Sequence, residues 1–278
     1  MPRYSDRVSE DPAWSEPSLR VPRFSASVER GLGILGCFVA RGPVLGIAEI
    51  ADELEMSRST THRYLTTLVA LGYMEQTTGR RYRLTLRVTR LGLETMNGMS
   101  LRDQAGVDLD ELRRITDYTV SVAVLDGLEI VYADRVPSYR HHRHEQELGL
   151  GVGSRLPAYC TALGKLLLAH LPPAEREQRL AEMVLVERAP NTITSRARLR
   201  EELEDILDLG YAVNDEECEQ GVIAIAAPLR DQSREVVAAA GLMASTAAIS
   251  LEDLSDALGP HLIATADRIS ARLGYRRE

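Results

Sequence analysis

The chain runs to 278 residues, 44% hydrophobic and 27% charged, with 41 acids against 33 lysines and arginines for a net charge of −8. That length suggests two domains, at ~100 to 200 residues each, and the composition is that of an ordinary soluble protein. The longest apolar runs, such as residues 236–244, are too short to span a bilayer, and the opening MPRYSDRVSE has no signal-peptide core, so a cytoplasmic chain with no membrane partner is expected. Cys37, Cys160 and Cys218 are far apart and form no CxxC pair, which argues against a disulfide framework or zinc ribbon and for reduced thiols.

Residues 1–22 carry Pro2, Pro12, Pro17 and Pro22 among mixed charges and little apolar material, the composition of a disordered tail. A first domain over residues 23–86 opens with a helix from Ser25, with Val28, Leu32, Ile34, Leu35 and Phe38 as its apolar contacts, ending near Arg41-Gly42-Pro43. Residues 47–54 (IAEIADEL) form a second short helix. Only Glu55 and Met56 separate it from a third at 57–71 (SRSTTHRYLTTLVAL), the spacing of a helix-turn-helix. Ser57 stands at the N-cap and Gly72 at the C-terminal stop. At 100° per residue the third helix puts Thr61, Tyr64, Leu65, Leu68 and Leu71 on one side and Ser59, His62, Arg63, Thr66 and Thr67 on the other.

Strand-like residues 73–75 and 82–85 flank a turn containing Gly79, Arg80 and Arg81, which adds a wing. Between residues 57 and 90 the bases Arg58, Arg63, Arg80, Arg81, Arg83, Arg87 and Arg90 face the single acid Glu75, a local positive field in an acidic protein. The assignment is a winged helix-turn-helix whose reading helix offers Arg58, Ser59, Thr60, His62, Arg63, Thr66 and Thr67 to the DNA major groove. Arg80 and Arg81 would grip phosphate or the adjoining minor groove. A solvated helix on an ordinary globular domain is the alternative. Residues 87–100 read as a linker helix with a break at Asn97-Gly98, a dimer spacer or an exposed connection.

The blocks VERGLGILGCF, IAEIADELEMSRSTTHRYLTTLVALGYM and YRLTLRVTRLG, followed by LPAYCTALGKLLLA and GYAVNDEECEQGVIAIAAPL, resemble the isocitrate-lyase-regulator (IclR) family of bacterial transcription factors. The resemblance runs from about Ser25 to Leu273. It implies a winged helix-turn-helix, a linker helix, a C-terminal effector domain similar to GAF domains, and a homodimer or dimer of dimers on a palindromic operator.

Residues 101–278 read independently as an α+β domain. Helices are expected at 101–118, 161–170, 172–183, 195–209 and 251–273. Strands are expected at 120–125 and 129–136, joined by an Asp126-Gly127 hairpin turn, and at 146–152, 222–229 and 235–245. The resemblance implies an effector site on the concave side of this domain. Carried over by motif position, it selects Leu148, Leu156, Ala162, Leu163, Asn214, Ala224, Gly241 and Met243. Strand alternation agrees in part, because Val222, Ala224 and Ala226 share one face and Val237, Ala239, Gly241 and Met243 share another. Members that bind very small keto acids hold them with Asp, Cys and two Ser, where this chain has Asn214, Ala224, Gly241 and Met243. The loss of those polar groups predicts a larger, flatter effector, an aromatic or similarly sized carboxylic acid, and the Asn-Asp-Glu-Glu loop resembles the branch that answers protocatechuate or para-hydroxybenzoate. Asn214 would donate to the ligand and the amides near Ala162 and Leu163 would favour its carboxylate. The alternative is that the small residues only permit close strand–helix packing.

Features that suggest an enzyme are weaker. Tyr139 to Glu145 packs histidines together, but neighbours in an extended loop point apart and no second ligand cluster is spaced for a metal. Cys160 lacks a positioned base, Gly164-Lys165 lacks the glycine of a phosphate loop, and Asp215, Glu216 and Glu217 read as a solvated acidic run. No catalytic residue, metal site or cofactor is expected. The remaining alternatives are a small-molecule-processing enzyme or an effector-binding scaffold without DNA readout.

Overall fold

The computed structural model describes residues 25–89, 101–139 and 149–276, and the chain divides into two compact units, Met1–Gly98 and Met99–Glu278. The expected tail, most of the linker helix, Leu148 and the histidines of the 139–145 cluster lie outside the described residues.

The first unit holds α1 (Ala26–Arg41), β1 (Leu45–Gly46), α2 (Ile47–Glu53), α3 (Arg58–Ala70), β2 (Met74–Thr77) and β3 (Arg81–Leu84). Its three strands form an antiparallel sheet in the order β1-β3-β2. Ile34, Cys37 and Phe38 of α1 meet Leu45, Ile50, Leu65, Met74 and Tyr82 in one core. Val28 and Leu32, expected as core contacts, are instead 60% and 54% exposed. The helical period explains this, since Val28, Leu32 and Val39 fall on a stripe roughly opposite Ile34, Cys37 and Phe38 at 100° per residue. The α2–α3 turn closes through Met56 N–H donating to Ala51 O (2.8 Å), with Glu55 in the left-handed region at φ 50°. Ser57 Oγ accepts from the Thr60 amide at 3.2 Å, so the expected N-cap forms. At the other end Tyr73 N–H reaches Leu68 O (3.0 Å) across Gly72, whose φ of 77° suits glycine.

The second unit holds α4 (Leu101–Thr116), β4 (Thr119–Asp126), β5 (Glu129–Val136), β6 (Arg155–Pro157), α5 (Ala162–Ala169), α6 (Pro173–Glu182), α7 (Arg196–Leu209), β7 (Ala212–Asp215), β8 (Val222–Arg230) and β9 (Val236–Ser245). It ends in α8 (Leu251–Asp253), a π-helical turn (Leu254–Leu258) and α9 (Gly259–Arg272). The six strands make an antiparallel sheet in the order β6-β5-β4-β9-β8-β7. Pairing of Ala226 with Gly241 puts both on one face and Ile225 on the other. Leu163 of α5 lies over Gly241, whereas Ile225 faces Gly259 of α9. The short helix α5 therefore covers one face and the terminal helix the other.

The sheet departs from expectation at three places. The strand expected over 146–152 is absent from the described part of that span, where Gly149 sits at φ 62°, with Gly153 just beyond it at 85°. Its place beside β5 is taken by β6, with Ile130 opposite Leu156. An edge strand, β7, forms where no strand was expected, pairing Asn214 with Ala224. The single helix expected at 251–273 is interrupted by the π-helical turn just before Pro260, whose ring and missing N–H are incompatible with regular α-helix bonding one turn back.

Candidate DNA-reading helix and effector face

In the first unit, burial of Thr61 and Leu65 turns the opposite side of α3 outward, and Arg58, Ser59, His62, Arg63, Thr66 and Thr67 are all exposed while Thr60 is half-buried. The Tyr64 hydroxyl lies near the Ser27 and Arg30 side chains of α1, which hold its pKa below the usual range. Thr66 and Thr67 each donate their hydroxyl to the carbonyl four residues back, His62 and Arg63, at 2.9 Å. Those hydroxyls keep lone pairs as acceptors toward an external donor.

The bases divide by engagement. Arg83 is paired with Glu75, and Arg87 stacks 5.2 Å from the Tyr73 ring centre. Arg81 donates to Val44 O (2.8 Å) and pairs with Glu49 (3.0 Å), so its guanidinium holds the base of the wing to α2. Glu49 also accepts from the Gly46 amide at 2.6 Å, and that bond first, with Arg81 after it, holds its carboxyl below the usual range. Among the described residues no acid pairs with Arg58, Arg63 or Arg80. Arg80 is exposed at the wing tip, where Thr77 pairs with Arg81 around it and its own φ is 58°. The two arginines expected to act alike on phosphate are thus differently placed.

In the second unit the expected effector residues separate into rows. Asn214, Ala224, Met243 and Thr119 form one row across β7, β8, β9 and β4; Ala212, Ala226, Gly241 and Ser121 form the next. Ala162 and Leu163 open α5 above them. Thr161 Oγ1 caps the helix by accepting from the Gly164 amide (3.0 Å), leaving the amides of Ala162 and Leu163 as first-turn donors without intrahelical partners. Helix α5 starts this close to the preceding turn because residue 164 is glycine, since a Cβ there would lie 2.3 Å from Ala158 O. Leu156 is on the same sheet face but three strands from Met243, at the opposite edge.

Two expectations about this face change. The volume expected over Gly241 is occupied, because a Cβ there would meet Leu163 Cδ2 at 3.0 Å and Ile225 O at 2.9 Å, so this glycine serves close helix–sheet packing. Ala224 and Met243, one row over, are only half-buried. Asn214 was expected to donate to a ligand, but its Nδ2 donates to Cys160 O at 2.5 Å. The carbonyl can only accept, which fixes the amide orientation and leaves Oδ1 as the atom without a partner, in a residue just 3% exposed.

A buried charge cluster lies beneath α5. Lys165, 1% exposed, donates to Glu202 (2.7 Å) and Glu217 (2.5 Å). Burial pushes the Glu217 carboxyl up from its ordinary 4.5, opposed by the charge and hydrogen bond of Lys165. Glu217 therefore departs from the solvated acidic run expected. The loop before α7 is clasped to the same segment: Thr192 Oγ1 donates to Glu217 O (2.5 Å), and Asn191 Nδ2 donates to Asp215 O (2.9 Å). On that loop Arg188 acts electrostatically on both Cys160 and Tyr159. The one sequence signal for the cluster is Lys165 itself, a lone cation in the apolar helix ALGKLLLA, which must be paired if it is buried. Arg188 and Thr192 carry no periodic signal.

Cys160 is not set up as a nucleophile. The hydrogen bond with Cys218 and burial both raise the Cys160 thiol, the opposite of an activated nucleophile. None of the three cysteines is in a disulfide, and all are buried. Among the described residues no group of three or more potential ligands could hold a metal ion, and no helix is long and apolar enough to cross a membrane.

A winged helix with an outward polar reading face, followed by an α+β unit with a buried unpaired polar group under a short helix, defines a two-domain DNA-binding regulator. Residues 27–78 match the IclR helix-turn-helix domain and residues 93–271 match the bacterial transcriptional regulator IclR C-terminal domain. The chain belongs to the IclR family of transcriptional regulators and is not an enzyme. It is 33% identical over 252 residues to the HTH-type transcriptional regulator KdgR of Escherichia coli, covering 90% of this chain and 94% of that one. It is 30% identical over 261 residues to the p-hydroxybenzoate hydroxylase transcriptional activator of Acinetobacter baylyi, covering 92% and 94%. The crystal structure of Thermotoga maritima IclR is similar with a TM-score of 0.72 at 29% identity, covering 90% of this chain and 99% of that one.

Proposed function

We propose that this regulator binds a palindromic operator as a homodimer or dimer of dimers and releases or rearranges on it when an aromatic or similarly sized carboxylic acid occupies the second unit. The observation that carries the DNA reading is the outward face of α3, where Arg58 and Arg63 have no acidic partner among the described residues while the apolar side is buried. Arg58, Ser59, Thr60, His62, Arg63, Thr66 and Thr67 are the base and backbone contacts from this helix, Arg80 meets phosphate, and Arg81 acts by holding the wing. A linker over residues 87–100 joins this domain, residues 23–86, to the effector domain from residue 101, in a protein that works in the cytoplasm.

The effector lies over the Asn214, Ala224 and Met243 row, with its carboxylate toward the amides of Ala162 and Leu163. Gly241 is assigned to the packing that seats Leu163, while Leu156, at the far edge of the same sheet face, stands apart from this row. Support for the aromatic class comes from the half-buried, apolar Ala224 and Met243 and from the relative named for p-hydroxybenzoate hydroxylase. Occupancy changes DNA affinity only through the acid's differential affinity for the operator-fitting and non-fitting arrangements, about 1–3 kcal/mol or roughly 5- to 150-fold. The test is fluorescence anisotropy on DNA taken from upstream of the gene against scrambled DNA, with and without benzoates and keto acids. Salt-sensitive preference for the upstream DNA that an aromatic acid alters is the expected result; tighter response to a two-carbon keto acid would overturn the size assignment.

A further inference from the structure

We infer that the second unit carries a further small-molecule site, on the sheet face opposite α5, that takes a compact apolar amine as its ammonium cation. A cavity of about 240 Å³ opens there between the sheet and the π-helical turn that leads into α9. Its sheet wall is Ile225 of β8 together with Tyr211, which immediately precedes β7 and shares the Ile225 side by alternation with Val213. Its helix wall is a single side of the turn and of α9, running through Ser255, Asp256, Gly259 and Ile263. The space depends on glycine at 259. A Cβ there would already touch Ile225 Cδ1 at 4.0 Å, so a longer side chain would fill the cleft. The π-helical turn at its edge is a feature frequent at functional sites.

The lining selects the ligand. Ile225 and Leu262 give it a buried apolar floor, and Ile263 is 41% exposed beside it. The polar groups are the Tyr211 and Ser255 hydroxyls and the Asp256 carboxylate, and among the described residues no ion pair or side-chain hydrogen bond engages any of the three. No lysine or arginine occurs between residues 236 and 266, so this segment supplies no permanent cation to Asp256. A carboxylate beside an apolar cleft, with two hydroxyls able to accept, matches an ammonium group on a small hydrocarbon or aryl body. An acid is disfavoured by the like charge of Asp256. The cleft therefore rejects the ligands proposed for the α5 face and stands independently of that reading.

The experiment is a ligand-observed NMR titration of the full-length protein with benzylamine, benzyl alcohol and methylammonium at neutral pH and constant ionic strength. Benzylamine should bind at least roughly tenfold tighter than benzyl alcohol, which keeps the ring without the charge, and than methylammonium, which keeps the charge without the ring. Its affinity should fall at least roughly tenfold in Asp256→Asn, a change of charge without shape at an exposed position. Ser255→Phe, which fills the cleft and keeps the acid, should lower it as well. The Asp256→Asn protein carries the test if Ser255→Phe lacks a cooperative melt. Excess benzoate should not displace the amine, and displacement would place it in the acid site and overturn the inference. Methylammonium within about threefold of benzylamine would show surface attraction alone and overturn the site. Benzyl alcohol equal to benzylamine, or benzylamine binding undiminished in Asp256→Asn, would overturn the choice of a cation. Absence of benzylamine binding would overturn the whole.

Discussion

Replacing Arg80 with alanine should change the salt dependence of DNA binding, whereas replacing its neighbour Arg81 should not. Each phosphate contact contributes ~0.9 to the slope of log K against log salt, because binding releases the counterions of the neutralised phosphates. Arg80 stands at the wing tip with no acid beside it among the described residues, so its loss removes one contact. Between 50 and 200 mM salt, a fourfold range, a slope difference of 0.9 makes the variant's deficit against wild type shrink by about 3.5-fold. Arg81 is spent on Glu49 and Val44 O, so Arg81→Ala removes a charge already neutralised and loosens the wing instead. The pair is nearly half exposed on both sides, which limits its stability to within ~1 kcal/mol, and the slope should stay near that of wild type. The assay is anisotropy of labelled operator titrated at four or more salt concentrations, with a thermal melt of each variant. Equal slope losses for the two variants, or none for Arg80→Ala, would refute this division of labour.

Two further substitutions test the second unit. Gly164→Ala brings a Cβ within 2.3 Å of Ala158 O and 2.4 Å of Ala158 Cα, backbone atoms that cannot rotate away, and should cost at least ~3 kcal/mol. Gly31→Ala, with nothing within 4 Å of its Cβ, should stabilise by about 0.5–1 kcal/mol, and comparable urea midpoints for the two would count against the close approach. Glu217, its carboxyl raised by burial, binds its proton more readily folded than unfolded, so its contribution is fully present below 4.5 and is lost as pH rises through the folded value. Glu217→Gln should then gain stability relative to wild type as pH climbs from about 4.5 toward neutral. Urea unfolding of both proteins across that range reads the difference, and parallel curves would show that the Lys165 pairing fully offsets burial.

Much of the first unit was legible in its residues because each of its signals is local. Ser57 caps the helix it precedes, Gly72 stops it, and the 100° period divides Thr61 and Leu65 from His62 and Arg63 without reference to anything distant. The same locality made the Asp126-Gly127 hairpin readable, since Gly127 at φ 65° is what a tight turn there requires. Period alone could not say which stripe of α1 meets the core, and so Val28 and Leu32 were misplaced. The edge strand β7 was missed because four residues beside a turn carry too little alternation to be seen.

What the tertiary structure decided are the contacts between segments far apart in the chain. Arg80 and Arg81 are adjacent and chemically alike, and only the position of Glu49, more than thirty residues away, makes one a brace and leaves the other open. Gly241 looks like vacant volume until Leu163 is placed over it. Asn214 can donate or accept with equal ease as a residue type, and the Cys160 carbonyl, 54 positions earlier, chooses for it. Helix, cap and turn propensities follow from each residue and its nearest neighbours, so the sequence determined the DNA-binding architecture. The polarity of a buried side chain depends on whichever partner the fold brings within hydrogen-bond distance, and that is written in no single stretch of the chain.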